Sequence, residues 1–339
     1  MASRVRIAID CMGGDFGPRV TVPAAVQAVS RFPDVDISLV GDREAIELEM
    51  SALKSSLADP RRFSIVHAIE VVDMSDKPTV ALRQKPRSSM RMAIDLLHEN
   101  NADAVVSAGN TGALVAIGCY VLKTLPGIRR PAVCSLIPSI DKHLYLLDLG
   151  ANVDTDAEHL YQFAILGAAL SSAIDGTESP RVGILNIGKE EIKGNDQVKK
   201  AHKLIAADKE IDFVGSIEGC DLFSSIADVV VCDGFVGNVA LKACEGTASH
   251  ILSTVKNEFQ DNWWSRCSVF FVKHCLNRIY KKLDPQRYNG ASFLGLTGVV
   301  VKSHGNSSVE SFCQAIGQAK KEVESNLVEN IGKKLGAAV

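Results

Sequence analysis

The sequence lacks several features that mark common classes of protein. Its 339 residues contain no run of about 18 apolar residues, so no typical membrane-spanning helix is expected. The formal net charge is only −3, which argues against general binding to nucleic acid. The nine cysteines include no C-x-x-C pair, and this odd, scattered set favours reduced thiols in the cytoplasm. The N-terminus has too short an apolar run for a signal peptide and no cleavage region.

Familiar catalytic motifs are also missing. The sequence has no G-x-G-x-x-G fingerprint for a dinucleotide and no G-x-S-x-G turn for a serine nucleophile. Its eight histidines form no zinc ligand set, and no cysteine and histidine are paired in a catalytic motif. We therefore expect neither a metal nor a cofactor.

What the sequence does contain is an alternation of short apolar segments and longer helical patterns. It is 46% hydrophobic and 23% charged, as in ordinary globular proteins. Residues 88–100 and 157–174 have helical periodicity. This alternation predicts an α/β/α sandwich with a mostly parallel sheet, formed by one domain over residues 1–325 with a tail at 326–339. The predicted strands are 6–10, 36–42, 63–68, 102–109, 144–151, 181–188, 211–217 and 227–234, and a further β-branched strand precedes Lys302.

Polar residues follow many of these strands directly. They are Asp10 and the groups 107–111, 148–154, 186–195 and 233–238. Ligands of open α/β sheets bind outside the carboxyl ends of the strands. The sequence therefore predicts that these residues line one binding site.

Two segments stand apart from this alternation. Residues 73–90 are basic and interrupted by proline, with Arg83, Lys85 and Arg87 just before a helix. Residues 262–283 form an amphipathic helical pattern that contains Trp264, Phe271, Val272 and Lys273, within a helical insertion predicted at about 250–285.

Seven stretches together resemble the bacterial phosphate acyltransferases, also called acyl-ACP:phosphate transacylases or PlsX. The resemblance covers about residues 4–325. The stretches are "IAIDCMGGDFGP", "DKPTVALRQKPRSSM", "SAGNTGAL", "LLDLGANVD", "GILNIGKEEIKGN", "VVVCDGFVGNVALK" and "YNGASFLGLTGVVVKSHG". It implies a fold like that of phosphotransacetylases and isopropylmalate dehydrogenases, and transfer of a long-chain acyl group from acyl carrier protein to inorganic phosphate. An integral-membrane acyltransferase would then use the acyl phosphate for phospholipid synthesis.

This chemistry needs an anion site, a cation and an amide donor, but no covalent nucleophile. We assign Lys193 to the phosphate or the developing oxyanion, and Asn238 to a hydrogen bond with that oxyanion. Asp10 and Asp15 are expected to hold backbone amides of their loop or to pair with a lysine of the pocket, rather than to bind phosphate directly. The wider set of substrate-binding candidates is Asp10, Gly13, Gly14, Asp15, Asn110, Thr111, Gly112, Asn152, Asn195, Asp233, Lys302 and His304.

Acyl carrier protein is acidic, so a basic docking surface is expected. Arg83, Lys85 and Arg87 are one candidate, and the cationic face of 262–283 is another. The same helix would also suit a homodimer contact or, as the resemblance implies, peripheral attachment to the membrane through a helical hairpin. Two alternatives stay open: an NAD(P)-dependent dehydrogenase of the isopropylmalate type, and a non-enzymatic, membrane-peripheral scaffold that binds acyl carrier protein.

Overall fold

The computed structural model describes residues 4–53, 59–140, 142–260 and 284–338, together with His274 and Arg278. Eleven strands in these ranges form one sheet in the order β3-β2-β1-β4-β11-β10-β5-β6-β9-β7-β8. They are β1 (Val5–Asp10), β2 (Val35–Gly41), β3 (Phe63–His67), β4 (Ala104–Ser107), β5 (Ala132–Pro138), β6 (His143–Leu147), β7 (Arg181–Leu185), β8 (Asp212–Ile217), β9 (Val229–Val231), β10 (Ala291–Leu294) and β11 (Val299–Lys302).

Helices cover both faces of this sheet. They are α1 (Pro18–Arg31), α2 (Arg43–Ala52), α3 (Pro78–Gln84), α4 (Ser89–His98), α5 (Thr111–Val121), α6 (Ala157–Asp175), α7 (Asp196–Ala207), α8 (Gly234–Gln260), α9 (Val309–Glu324) and α10 (Leu327–Ala338). One face packs against α3, α4, α5 and the start of α8. The other face packs against α1 and α9 in one half and against α6, α7 and α10 in the other. The predicted α/β/α sandwich is confirmed.

Alternation along the strands explains the two cores. In β1, Ala8 faces the helices α4 and α5, whereas Ile7 and Ile9 face α1 and α9. All three side chains are fully buried. Successive residues of a strand point to opposite faces, so a strand covered on both sides is apolar throughout.

The direction of the strands changes in the middle of the sheet. β10 is antiparallel to both β11 and β5, and β5 is antiparallel to β6. The carboxyl ends of β1, β4 and β11 therefore lie side by side along one end of the strands. We call this row of strand ends the first edge. The carboxyl ends of β6, β7 and β9 lie at the opposite edge, the second edge. Within one chain, the polar strand ends therefore lie at two opposite edges rather than at one.

The C-terminal segment also differs from its prediction. Residues 326–339 were expected to form a tail outside the domain, but α10 packs against α6. Leu327, Ile331 and Leu335 of α10 are buried. The segment thus completes one of the hydrophobic cores.

The remaining predictions for the chain concern membrane contact. Within the described ranges, no helix combines the length and apolar character needed to cross a membrane. Trp264, Phe271, Val272 and Lys273 lie outside the described residues, as does most of the predicted insertion.

Candidate active site

The opening loop is organised by a buried carboxylate. Asp10 ends β1 and accepts hydrogen bonds from the hydroxyls of Ser89 (2.6 Å) and Ser107 (2.7 Å). The backbone amides of Met12 and Gly13 bond the same carboxylate. Burial raises the pKa of Asp10, although these four donors oppose the shift. Asp10 therefore holds the turn in place, in agreement with its predicted bracing role.

Glycine is required where this loop meets its neighbours. A Cβ atom on Gly13 would lie 2.7 Å from the backbone nitrogen of Gly109. Gly14 has a φ of 87°, and a Cβ there would lie 2.9 Å from the carbonyl oxygen of Gly305. The amide of Asp15 donates to the same Gly305 oxygen at 2.8 Å. The loops after β1, β4 and β11 consequently touch one another through their backbones.

The start of α5 supplies donors beside these loops. Asn110 caps the helix: its Oδ1 accepts from the amide of Ala113 at 3.0 Å. Its Nδ2 donates to the carbonyl oxygens of Met74 (2.8 Å) and Asp76 (3.0 Å). The side chain of Asn110 is thus committed to the architecture. The first-turn amides of Thr111 and Gly112 have no partner within the helix, which suits an anion.

A buried lysine lies beneath the first edge. Asp10, Ser107 and Lys302 are register partners on three adjacent parallel strands. The Lys302 side chain is 9% exposed, and its ammonium donates to the carbonyl oxygens of Ala108, at 3.2 Å, and Ser303. Burial lowers the pKa of Lys302 to about 8, opposed by the charges of Asp10 and Asp15. With a pKa of about 8, the ammonium of Lys302 loses its proton, and so its charge, as the pH rises through that value.

His304 links this region to α8. Its Nε2 atom lies 3.3 Å from Oε1 of Glu245, and both side chains are partly exposed. The His304 amide donates to Oδ1 of Asn289 at 3.0 Å, which fixes the backbone after β11. Glu245 was not predicted as a site residue, because no motif marks a glutamate in the middle of a long helix.

The second edge has the same arrangement as the opening loop, in which a buried aspartate accepts hydrogen bonds from backbone amides. Asp148 follows β6, is fully buried, and accepts from the amides of Val133, Ala151 and Asn152. Burial raises its pKa. The Nδ2 atom of Asn152 donates to Asp148 at 3.0 Å and to the Pro131 carbonyl at 2.7 Å. Asn152 is accordingly part of the turn.

Two further candidates at this edge also serve the architecture. The Asp233 carboxylate accepts from the amide (3.2 Å) and hydroxyl (3.0 Å) of Thr155 and from the amide of Phe235. Asn195 caps α7 by accepting from the amide of Val198 at 2.9 Å. In both cases the polar residue lies at the start of a helix, where short polar side chains are preferred.

Lys193 and Asn238 differ from these residues. Lys193 is exposed on the loop before α7, and Asn238 is half-buried in the first turn of α8. Within the described ranges, no hydrogen-bond or ion-pair partner is found for either side chain. The Asn238 Nδ2 atom lies close to Gly150, where a Cβ would approach it to 3.2 Å. Both functional groups are free to contact a ligand.

The basic segment 73–90 has one member that is not available for docking. The Lys85 ammonium donates to Asp76 (2.6 Å), Asp73 (3.0 Å) and the Val71 carbonyl (2.8 Å). Its hydrogen bond to Asp76 is the main reason its pKa is raised. Arg83 and Arg87 are exposed on either side of it.

The candidate residues therefore fall into two groups. The first-edge cluster contains Asp10, Gly13, Gly14, Asp15, Asn110, Thr111, Gly112, Lys302 and His304. The second-edge cluster contains Asn152, Lys193, Asn195, Asp233 and Asn238. Among the residues that the structure describes, no group of three or more His, Cys, Asp or Glu side chains could hold a metal ion. The first cluster offers an anion cradle, and the second offers a cation and an amide.

Comparison with solved structures identifies the class of fold. A phosphotransacetylase from Streptococcus pyogenes superimposes with a TM-score of 0.63 and 17% identity, over 96% of this chain and 94% of that one. A 4-hydroxythreonine-4-phosphate dehydrogenase from Klebsiella pneumoniae gives 0.56 and 13%, over 95% and 100%. The fold is thus shared by acyl-transferring enzymes and dehydrogenases and does not separate them.

Sequence comparison identifies the family. Residues 5–330 match the family model of the fatty acid synthesis proteins. The chain is 50% identical to a phosphate acyltransferase of Methylococcus capsulatus over 97% of this chain and 96% of the relative. It is 50% identical to one of Legionella pneumophila over 96% and 94%. The chain belongs to the phosphate acyltransferase family and is an enzyme of that class, which sets aside the dehydrogenase and scaffold alternatives.

Proposed function

We propose that this enzyme moves a long-chain fatty acyl group from the thioester of acyl carrier protein to inorganic phosphate. The product is an acyl phosphate, which a membrane acyltransferase then uses for phospholipid synthesis. The observation that carries the proposal is the first-edge cluster, where glycine turns, the amides of Thr111 and Gly112 and the ammonium of Lys302 meet. Such a set of backbone donors with one cation suits phosphate.

The reaction needs positioning more than activation. An oxygen of the phosphate dianion attacks the thioester carbon, and a C–O bond forms while the C–S bond breaks. The thiolate of the carrier leaves and takes up the proton released from phosphate. His304, beside Glu245 at 3.3 Å, is placed to pass that proton. No step requires a covalent enzyme intermediate.

Lys193 and Asn238 are our catalytic candidates. During attack, negative charge develops on the carbonyl oxygen, and a preorganised ammonium and amide would stabilise it. Their side chains have no competing partner among the described residues, unlike those of Asn110, Asn152, Asn195 and Asp233. We assign these last four to positioning the loops and helices around the site.

Within one chain, the two clusters are too far apart to act on one atom. Strands of about five residues, at roughly 3.3 Å each, separate the two edges by about 15 Å. A catalytic hydrogen bond spans only about 3 Å. We infer that the enzyme is a homodimer in which the second edge of one protomer faces the first edge of its partner.

The surface of the second edge supports this arrangement. Ile187 and Ile192, on either side of the Lys193 loop, are 81% and 78% exposed. Val153, Phe235 and Val239 are also more than half exposed. Exposed apolar patches of this kind mark surfaces that another protein covers.

The acidic carrier protein would dock beside the first edge. Arg83 lies at the end of α3, which packs against α5. Arg83 and Arg87 offer charge there, whereas the charge of Lys85 is balanced within its own loop. Electrostatic complementarity of this kind speeds encounter between the partners.

A second proposal concerns location. We propose that the enzyme is cytoplasmic and associates peripherally with the membrane through residues 262–283, because their sequence combines a cationic face with Trp264 and Phe271. Phe271→Asp with Val272→Gln should then reduce binding to anionic lipid vesicles. Unchanged vesicle binding would contradict the membrane role.

The reaction is tested by measuring the formation of acyl phosphate. Palmitoyl-acyl carrier protein and labelled phosphate are incubated with the enzyme, without nucleotide and with a chelator present. We expect one acyl phosphate, trapped as hydroxamate, for each carrier thiol released. Release of thiol with no acyl phosphate would indicate a hydrolase and contradict the proposal.

A further inference from the structure

An apolar groove lies between the last residues of β5 and the middle of α8. Its volume is about 690 Å³, within the range of roughly 300–1,000 Å³ that is typical of small-molecule sites. Leu136, Ile137 and Pro138 of β5 form one wall. The other wall consists of α8 residues that include Leu241, Cys244 and Ala248.

One end of this groove is polar and belongs to the site already described. His304 and Glu245 line that end and contact each other at 3.3 Å. His304 is followed by Gly305, whose carbonyl oxygen accepts from the amide of Asp15. The groove is therefore continuous with the first-edge cluster, where phosphate is proposed to bind.

The groove also has a direction and a length. Glu245, at the polar end, and Ile251, both lining residues, are separated by six residues of α8, or about 9 Å along the helix axis. Its far wall is closed by Phe223 and Ile251, both apolar and partly exposed. A polar mouth and a long apolar body are what a chain with one reactive polar end requires.

We propose that this groove binds the acyl chain of the thioester substrate, with the reacting carbonyl at the His304 end. The inference rests on the proposed function, because it presumes a fatty acyl substrate. Each methylene removed from water strengthens binding by about fourfold, so a chain that fills the groove gains affinity with length until the groove ends. The residues around Ala248 then set the preferred chain length.

A bulky side chain placed beyond the mouth of the groove tests this proposal. Ala248 lies three residues after Glu245 on the same side of α8, so Ala248→Phe places a ring in the path of the chain. We expect kcat/KM for palmitoyl-acyl carrier protein to fall by about 50-fold, while that for the butyryl substrate, whose chain ends before Ala248, changes less than about twofold. Ser249→Phe is the matched control, because Ser249 is exposed on α8 and does not line the groove.

A second measurement does not depend on turnover. Cys244 lines the groove, whereas Cys220 is exposed outside it. Alkylation of each cysteine by N-ethylmaleimide is followed by mass spectrometry in the wild-type enzyme. We expect excess palmitate to protect Cys244 and octanoate to protect it less, with Cys220 labelled equally throughout.

The outcomes separate the two proposals. If palmitate protects Cys244 but the enzyme makes no acyl phosphate from any chain length, the groove proposal stands and the proposed reaction is contradicted. Absence of protection together with an unchanged chain-length profile overturns the groove. Equal effects of Ala248→Phe and Ser249→Phe also overturn it. Protection of Cys244 that depends on protein concentration without lipid would make the groove a contact between two copies of the chain.

Discussion

The two edges of the sheet use the same loop architecture for different purposes. At each edge a buried aspartate follows a strand and holds the next turn: Asp10 after β1 and Asp148 after β6. At the first edge, the groups that can contact a ligand are backbone amides and the buried Lys302. At the second edge they are the side chains of Lys193 and Asn238.

Under the proposed function, this difference corresponds to two separate roles. A cradle of amides and a buried ammonium holds its shape before the ligand arrives, as binding of a small anion requires. The side chains of Lys193 and Asn238, which have no partner among the described residues, instead keep their donors available for the oxygen on which negative charge develops. The first edge would then bind phosphate and the second edge would stabilise the oxyanion. Four predictions test that separation.

The largest expected effect is at the second edge. Lys193→Ala and Asn238→Ala should each lower kcat by roughly 10²–10³-fold, because each removes a donor to the oxyanion. The melting temperature should not change, since neither side chain holds the fold. Lys189→Ala is the control in the same loop: its ammonium pairs with Asp221 at 3.1 Å, and its loss should alter kcat by less than about threefold. Near-normal turnover of both Lys193 and Asn238 variants would remove them from the mechanism.

The second prediction asks whether the edges cooperate between protomers. A heterodimer purified through two tags would carry Lys193→Ala in one protomer and Lys302→Met in the other. If each site combines the two protomers, one of the two sites is intact and the dimer keeps about half of the wild-type turnover. If each protomer works alone, both sites are damaged and turnover stays at the level of the single variants.

The third prediction concerns the first edge and pH. With its pKa lowered to about 8, Lys302 loses its charge as the pH rises above that value. The KM for phosphate should then rise by up to about tenfold per pH unit, and Lys302→Met should abolish this dependence. The free energy of unfolding should increase between pH 8 and 10.5, because the unfolded chain retains a proton that the native lysine has lost. A KM that is flat from pH 7 to 9.5 in the wild type would contradict this role.

The smallest effect is expected at the docking surface. Arg83→Glu with Arg87→Glu should raise the KM for acyl carrier protein about fivefold at low salt, with kcat unchanged, and the difference should shrink as salt increases. A pantetheine thioester without the protein carrier should be unaffected. Lys85→Met should act differently, lowering stability of the 73–76 loop with little salt dependence, because its charge is already paired.

Much of the fold was predictable because its strands are buried on both faces and end in turn residues. The strands that were not predicted are β5 and β10, which are the ones that reverse the sheet. β10 has only four residues, and β5, although it follows the turn residues Pro126, Gly127 and Pro131, was not separated from the irregular stretch around it. Their absence from the prediction is why all polar strand ends were expected at one edge.

The candidate site shows a second limit. Asn110, Asn195 and Asp233 were selected as ligand residues, yet their side chains cap or brace helix starts. Short polar side chains are preferred both at helix N-termini and at ligand sites, so residue type alone does not distinguish the two roles. Glu245 could not be found at all, because only the packing of α8 brings it to His304.

The sequence by itself determined the family, the α/β/α class and the residues whose chemistry suits phosphate and an oxyanion, since these depend on local pattern and on side-chain type. The tertiary structure decided which of those residues meet. Asp10, Ser107 and Lys302 adjoin because three parallel strands share a register, and Lys193 and Asn238 lie at the opposite edge because three antiparallel pairings intervene. Which strands become neighbours, and in which direction, depends on pairing between segments far apart in the chain, so a reading of each stretch by itself does not give it.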